Sequence, residues 1–330
     1  MSGISRWIAA IDRRRWLAAA SVLLALCLPP LPASAQYPDR PIQLIVPFPA
    51  GGSVDIVARL FAQAASDAFK GRIVVLNKVG ASALIGEAEV ARSHPDGYTI
   101  LFDAVTISIN AAMYQKPIYD PDELQPVAPL LTLPFVVVTG PKVPADNLKD
   151  MIALARKVPG GISTAYAGAS TMLAAHLLRL SAGIDLHLIA YTGGPPAAMA
   201  IMRDEAQLYV SDLPSVSQHI VSGKIKPLAI SGTERAKQMP EIPTAAEAGL
   251  PQFQADSWFG VFARKGTPPE ILAKLNEEIS RFTRNPEIVA RLEAMGGKPV
   301  QMSVAEFDEY YKRQRALWKD VIAKAGIPLQ

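Results

Sequence analysis

Cysteine is almost absent from this chain. Cys27 is the only one among 330 residues, and it falls in a segment expected to be cut away. What would remain has no disulfide, no thiolate nucleophile and no cysteine-held metal. Histidine is scarce as well: His94, His176, His187 and His219 share no metal-ligand spacing. The GxSxG, HExxH and GxGxxG patterns do not occur, so the signatures of several hydrolase, metalloprotease and dinucleotide-binding sites are missing. Catalytic partners can be scattered along a chain, so this weighs against an enzyme without excluding one. An excess of one charge is missing too. The chain has 33 Lys and Arg against 30 Asp and Glu; Arg6, Arg13, Arg14, Arg15 and Asp12 lie in the first 35 residues, which leaves 29 of each sign. A formally neutral remainder offers no compositional case for binding nucleic acid or an anionic membrane.

The first 35 residues read as a secretory signal peptide. The arginines precede an apolar stretch from Trp16 to Leu31, and Ala33-Ser34-Ala35 supplies a small-residue cleavage site after Ala35. The apolar run falls short of the ~20 residues a spanning helix needs, and Pro29, Pro30 and Pro32 interrupt it. Leu26 before Cys27 is wrong for lipoprotein processing, and RRRWL (13–17) leaves Sec and twin-arginine export both open. The expected location is the periplasm. About 295 residues remain, enough for two lobes of ordinary domain size.

That remainder alternates short apolar runs with helical patterns and has neither a long repeat nor a low-complexity segment. IQLIV (42–46), a helix over 53–69, IVVL (73–76), a helix over 85–93 and YTILF (98–102) make a βαβαβ pattern. Fully apolar strands joined by helices predict a parallel sheet covered on both faces. PVAPLLTLPFVVVTG (126–140) reads as a long strand and crossover, and a second α/β series follows to residue 230. Thr244–Glu247 has the form of a capping box on a short helix. DSWFGVFA (256–263) reads as a strand returning to the first series, covered by helices over 267–283 and 303–326. The expected organisation is 36–135 plus 255–330 as lobe 1 and 136–254 as lobe 2, with two crossing segments between them. The cleft between such lobes is the default ligand site.

Several strand ends carry loops suited to an anion. In VPFPAGGSVD (46–55), Gly51 and Gly52 permit unusual backbone and close approach, and Ser53 opens a helix whose first N–H groups favour a carboxylate or phosphate. No Lys follows the glycines, which argues against a P-loop. NKVGASALIG (77–86) with Ser82, DAVTISIN (103–110) with Thr106, AYAGAST (165–171) with Ser170 and Thr171, and AYTGGPPA (190–197) are further strand-end loops. Ligands of parallel sheets lie beyond the carboxyl ends of the strands. Asp55 reads as a helix-terminal carboxylate. Asp212, in VSDLPS (210–215), is either a helix cap or a group facing the cleft. Phe48 and Trp258 either wall a pocket or belong to the core.

These residues together resemble a known family. YPDRPIQLIVPFPAGGSVDIVARL (37–60), VGASALIGEAEVARSHPDGYTILF (79–102), AYTGGPPAAMA (190–200), VSDLPSVSQHI (210–220), MPEIPTAAEAGLP (239–251) and SWFGVFARKGTPPEILAKLN (257–276) are similar, in order, to the periplasmic solute-binding proteins of tripartite tricarboxylate transporters, the TctC or Bug family. The resemblance implies a two-lobed, hinged α/β fold of the type II periplasmic-binding kind. It also implies a non-enzymatic, cofactor-free, monomeric protein that captures a small organic acid and passes it to a membrane permease. By the same resemblance the turn of Pro49, Ala50, Gly51 and Gly52, with Ser53, would hold a ligand carboxylate through its backbone N–H groups and ordered water. Phe48 would pack on the ligand body, and Asp212 would shape the far end. Val79 and Ala81-Ser82-Ala83 depart from the family's Pro and Gly-rich run. A sensing accessory with the same fold, or a secreted α/β hydrolase, are the alternative readings.

Overall fold

The computed structural model describes residues 37–330 except 67, 68, 70–72 and 117. The expected signal segment lies outside the described residues, and the elements that follow belong to the unit Arg40–Gln330. Strand β1 (Ile42–Val46) is buried at four of its five positions, as an apolar run covered on both faces should be. It pairs in parallel with β2 (Ile73–Asn77) and β3 (Thr99–Ala104). Helix α1 (Ser53–Ala64) crosses from β1 to β2 and buries Val54, Val57, Ala58 and Phe61. Helix α2 (Leu84–Ala91) crosses from β2 to β3.

A second parallel set has the same design. Strand β5 (Ile162–Tyr166) lies between β6 (Leu186–Ala190) and β7 (Leu208–Asp212), parallel to both. Helices α5 (Ala169–Ala182) and α6 (Gly194–Met202) are its crossovers, and α7 (Leu213–Val221) leads from β7 to β8 (Lys226–Ile230). Helix α4 (Leu148–Ala155) precedes the set, capped by Asn147, whose side chain accepts from the Asp150 N–H.

Two antiparallel strands join the sets. In the order β2-β1-β3-β9-β4-β7-β5-β6, β9 (Asp256–Arg264) runs against β3, and β4 (Leu124–Thr139) runs against both β9 and β7. The sheet is therefore mixed at its centre, where the sequence pattern suggested mostly parallel pairing. Strand β4 carries Pro126, Pro129 and Pro134, and its register against β9 shifts beside the first two. A proline cannot donate to the ladder, so bulges there let the strand continue past it. At Pro134–Phe135 the strand changes partners from β9 to β7. Ser231 pins that point: its Oγ accepts from the Phe135 N–H at 2.9 Å and donates to the Ala255 carbonyl.

The remaining helices close the core. Helix α8 (Pro269–Arg284) and the shorter α9 (Pro286–Ala294) follow β9 and lead to β10 (Lys298–Pro299), which pairs with β4. Helix α10 (Val304–Ala325) starts in a complete capping box between Ser303 and Glu306 and lays Phe307, Tyr311 and Trp318 into the core. Gly260 in mid-β9 has its reason here, because a Cβ on it would meet the Phe307 ring at 2.5 Å. Two local expectations fail. Residues 103–110, read as a strand-end loop, finish β3 at Ala104 and from Thr106 belong to helix α3 (Thr106–Met113). Thr244 and Glu247 make both capping-box hydrogen bonds, yet the segment is a turn rather than a helix.

Candidate functional site

Strand register locates where the loops meet. In the first set Val46 pairs with Asn77, so the carboxyl ends of β1 and β2 are level, and β3 runs the same way. Across β9, Ala104 at the end of β3 pairs with Phe259, while Asp256 pairs with Pro134 of β4. The next residue of β4, Phe135, pairs with Asp212, the last residue of β7. The carboxyl edges of both parallel sets therefore converge on the middle of β4. Every loop singled out in the sequence leaves one of these edges.

The turn after β1 is held from within. The Asp55 carboxylate, buried under the turn, accepts from the Gly51 N–H at 2.9 Å, from Arg59 Nε at 2.9 Å and from Asn77 Nδ2 at 2.8 Å. Burial works against this charge, but Arg59, the Gly51 N–H and Asn77 outweigh it and keep the carboxyl below its usual range. Asn77 also donates to the Phe48 carbonyl at 3.0 Å, and Arg59 Nη2 reaches Asn77 Oδ1 at 2.9 Å. Asp55 is thus the keystone of the loop rather than a simple cap.

This network changes which donors the turn can offer. The Gly51 N–H is committed to Asp55, and the Gly52 N–H bonds to the Pro49 carbonyl at 3.3 Å. What faces outward is the start of α1, where Gly52 is the N-cap and no side chain caps the first-turn N–H groups. Pro49, Ala50, Gly51 and Gly52 are exposed, and Phe48 and Ser53 are half-buried. Gly51 sits at φ +82°, a left-handed conformation that favours glycine, whereas Gly52 is extended at φ −74°. The two glycines serve different purposes.

The turn after β2 is strained. Ala81, Ser82 and Ala83 have φ of 46°, 52° and 81°, and each left-handed non-glycine residue costs about 1–2 kcal/mol. Asn110 of α3 holds the turn, donating from Nδ2 to the Ser82 carbonyl at 2.8 Å. Ala81→Gly should therefore raise stability, by about 0.5–1 kcal/mol after glycine's own entropic cost; urea unfolding would measure the gain. Thr106, buried at the start of α3, lies on the same edge.

On the second set, Thr171 is buried and occupied with its own loop: Oγ1 accepts from the Ala167 N–H at 2.7 Å and donates to the Gly168 carbonyl at 3.3 Å. Ser170 beside it is half-buried. Asp212 stands at the N-cap position of α7, but its side chain caps no backbone group. Burial raises its pKa, opposed by hydrogen bonds from Ser215 and Ser211. A carboxyl that caps no backbone group is left to accept from a ligand, and it donates only where it is protonated. Trp258 is not a pocket wall. It is fully buried, with the Phe307 ring 5.6 Å away and perpendicular to it. Glu87, Asp103 and Asn110 went unnoticed in the sequence, because three polar residues spread over 24 positions carry no local signal. Among the described residues no group of three His, Cys, Asp or Glu side chains could hold a metal ion, and no helix is long and apolar enough to cross a membrane.

Comparison with known proteins agrees with this geometry. The profile of the Tripartite tricarboxylate transporter family receptor, TctC, matches residues 57–327. Protein BugT of Bordetella pertussis is 34% identical over 329 residues, covering 97% of this chain and all of BugT. Among solved structures, R. palustris Rpa4515 with adipate superimposes with a TM-score of 0.80 at 29% identity, over 88% of this chain and 99% of the other. MatC (Rpa3494) from Rhodopseudomonas palustris with bound malate gives 0.76 at 29% identity, over 87% and 100%. By its profile match, its relatives and its mixed α/β fold, the chain belongs to the TctC family of periplasmic solute-binding proteins.

Proposed function

We infer that the protein captures a small carboxylic acid between the facing loop edges and delivers it, as a monomer, to a permease of the tripartite tricarboxylate transporter type. The observation that carries the reading is the uncapped start of α1 at Ser53, set on the edge that faces Asp212 through the β4 register. A carboxylate there gains charge-assisted hydrogen bonds from neutral N–H groups and the favourable end of the helix dipole. Arg59 balances the Asp55 charge beneath the turn, so the turn does not repel an anion. Adipate and malate on two structural neighbours support a ligand with two acid ends. Phe48 would pack on its body, Ser82, Thr106 and Ser170 would add hydroxyls, and Asp212, whose pKa burial raises, would meet the far acid group. Thr171 shapes its loop.

Residues 36–135 with 255–330 would form one lobe and 136–254 the other. The hinge would lie where β4 changes partners and Ser231 joins Phe135 to Ala255. Ligand touching both edges favours the closed form by differential contact.

A thermal-shift screen of the protein from residue 36 onward tests the ligand class, since ligand bound to the native state raises the melting temperature. Malate, adipate and longer diacids are compared with their monoacid and diamide analogues. A rise confined to acids is expected; a response to amines or neutral compounds alone would refute the reading. Gly52→Ala tests the site itself. A Cβ there has ordinary contact, 3.4 Å to the Pro49 carbonyl, and the backbone suits alanine. Stability should therefore change by less than about 0.5 kcal/mol, while affinity falls about tenfold as the methyl intrudes on the ligand.

A further inference from the structure

We propose that Glu87 and Asp103, sharing one proton in the core, act through Asn110 as positioning residues for the Ala81–Ala83 turn, so that the shape of this turn follows their ionisation. Both acids are fully buried. Glu87 Oε1 accepts from Asn110 Nδ2 at 2.8 Å, and Oε2 accepts from the Tyr119 hydroxyl at 2.8 Å. The same Asn110 Nδ2 donates to the Ser82 carbonyl. One amide group thus connects a core carboxylate to three consecutive left-handed residues, of which Ala81 and Ser82 are exposed and Ala83 is buried.

The Asp103 and Glu87 side chains interact directly. Asp103 Oδ1 accepts from the Ala104 N–H at 2.6 Å, while Oδ2 is buried with no donor partner among the described residues. A proton on Oδ2 donated to Glu87 satisfies that atom and gives Glu87 a third donor. Two adjacent buried carboxylates cannot both stay charged. The other titratable and charged groups facing the pair are Tyr119, in the loop before β4, and Tyr311, from α10. Arg315 of α10, near both tyrosines, is paired with Asp122 at 2.7 Å and does not contact the carboxyls.

The consequence has a definite sign. Burial raises Glu87 to about 7, against the hydrogen bonds of Tyr119, Asn110 and Asp103, and raises Asp103 well above the usual range. Above that value Glu87 is a carboxylate and its bond from Asn110 is charge-assisted, roughly twice the strength of a neutral one. Asn110 is then locked and the strained turn is held. Below it Glu87 is protonated, the lock weakens and the turn relaxes. Global stability runs the opposite way. An acid whose folded pKa is raised favours the folded state while protonated, and that advantage is lost as pH rises from about 4.5 to about 7.

The test uses the ligand-free protein from residue 36 onward, so it is independent of whether malate or adipate binds. The inference relies on the carboxylate-capture reading only for its effect on affinity, and failure of the ligand screen would leave the result below intact. Amide resonances of Ser82 and Ala83 are followed by nitrogen–proton correlation spectra from about pH 5.5 to 8.5. In the wild type they should move together with one midpoint between about pH 6 and 8, and in Glu87→Gln they should be static. Asn110→Ala serves as a second variant: the Ser82 and Ala83 amides should cease to titrate while the Glu87–Tyr119 surroundings still do. Static amides in the wild type would overturn the proposal. So would the same titration surviving in either variant.

Discussion

Gly51→Val is expected to weaken ligand capture about 30-fold while leaving the fold intact. Nothing lies within 4 Å of a Cβ built on Gly51, so the valine would not be rejected by collision. The obstacle is the backbone. At φ +82° an L-residue costs about 1–2 kcal/mol, and a β-branched one sits at the upper end or beyond. The turn can escape only by rotating the Gly51 peptide, which pulls its N–H away from the Asp55 carboxylate. A hydrogen bond to a charged, buried acceptor is worth about 1.5–3 kcal/mol. Either route deforms the Phe48–Ser53 turn by about 2 kcal/mol, which corresponds to roughly a 30-fold loss of affinity. Asparagine tolerates the left-handed region better than other side-chain-bearing residues, so Gly51→Asn should retain most of the binding and Gly51→Ala should fall between. Calorimetry with the acid returned by the thermal-shift screen would establish the order Asn, Ala, Val. Full affinity in Gly51→Val would remove this turn from the site.

Trp258→Ala is expected to produce the largest loss of stability and little change in binding. The indole is fully buried. It meets Phe307 at 5.6 Å, Tyr310 at 6.0 Å and Tyr311 at 6.4 Å edge to face, with Phe262 tilted at 6.0 Å. This cluster fastens α10 to β9. Truncating such a side chain costs about 3–5 kcal/mol, because the transfer energy is lost and the cavity cannot fully collapse. For a chain of this size the melting temperature should fall by about 6–15 °C. Trp258→Phe should cost far less: the indole Nε1 is buried without a partner, and removing an unsatisfied donor offsets part of the lost volume. Calorimetric unfolding separates the two variants. Affinity measured well below the melting temperature should stay within a few-fold of wild type, since the ring faces the core. A large loss of affinity in the Phe variant would show that the aromatic cluster controls the ligand edge.

How much could be read from the residues alone depended on how local the signal was. The run at 42–46 is a strand with the expected bounds, and those at 73–76 and 256–263 are strands that run one residue further, because an apolar run between turn residues has few other ways to bury itself. Helix α3 was missed for the converse reason. Thr106, Ile107, Ser108, Ile109, Asn110 and Met113 are all buried, so the helix has no polar face and no 3.6-residue period to detect. Helix α9 could have been found, since Asn285 before Pro286 and Glu287 is a helix-start signal that the structure uses, with Asn285 accepting from the Glu287 and Ile288 N–H groups. Thr244–Glu247 shows the limit of such signals: the capping bonds form without a helix, because Gly249, at φ +88°, and Pro251 interrupt the chain too soon.

The sequence by itself determined the α/β class, the strand-end loops and their membership of one family, because each rests on periodicity, turn chemistry or motif within a short window. Only the tertiary structure decided that Gly51 and Gly52 serve different ends, that Asp55 takes the Gly51 N–H, that Trp258 belongs to the core, and that Glu87 reaches Ser82 through Asn110. Those facts depend on which distant residues share a hydrogen bond or a buried volume, and it is the packing of helices and loops around the first parallel set and β9 that brings them together.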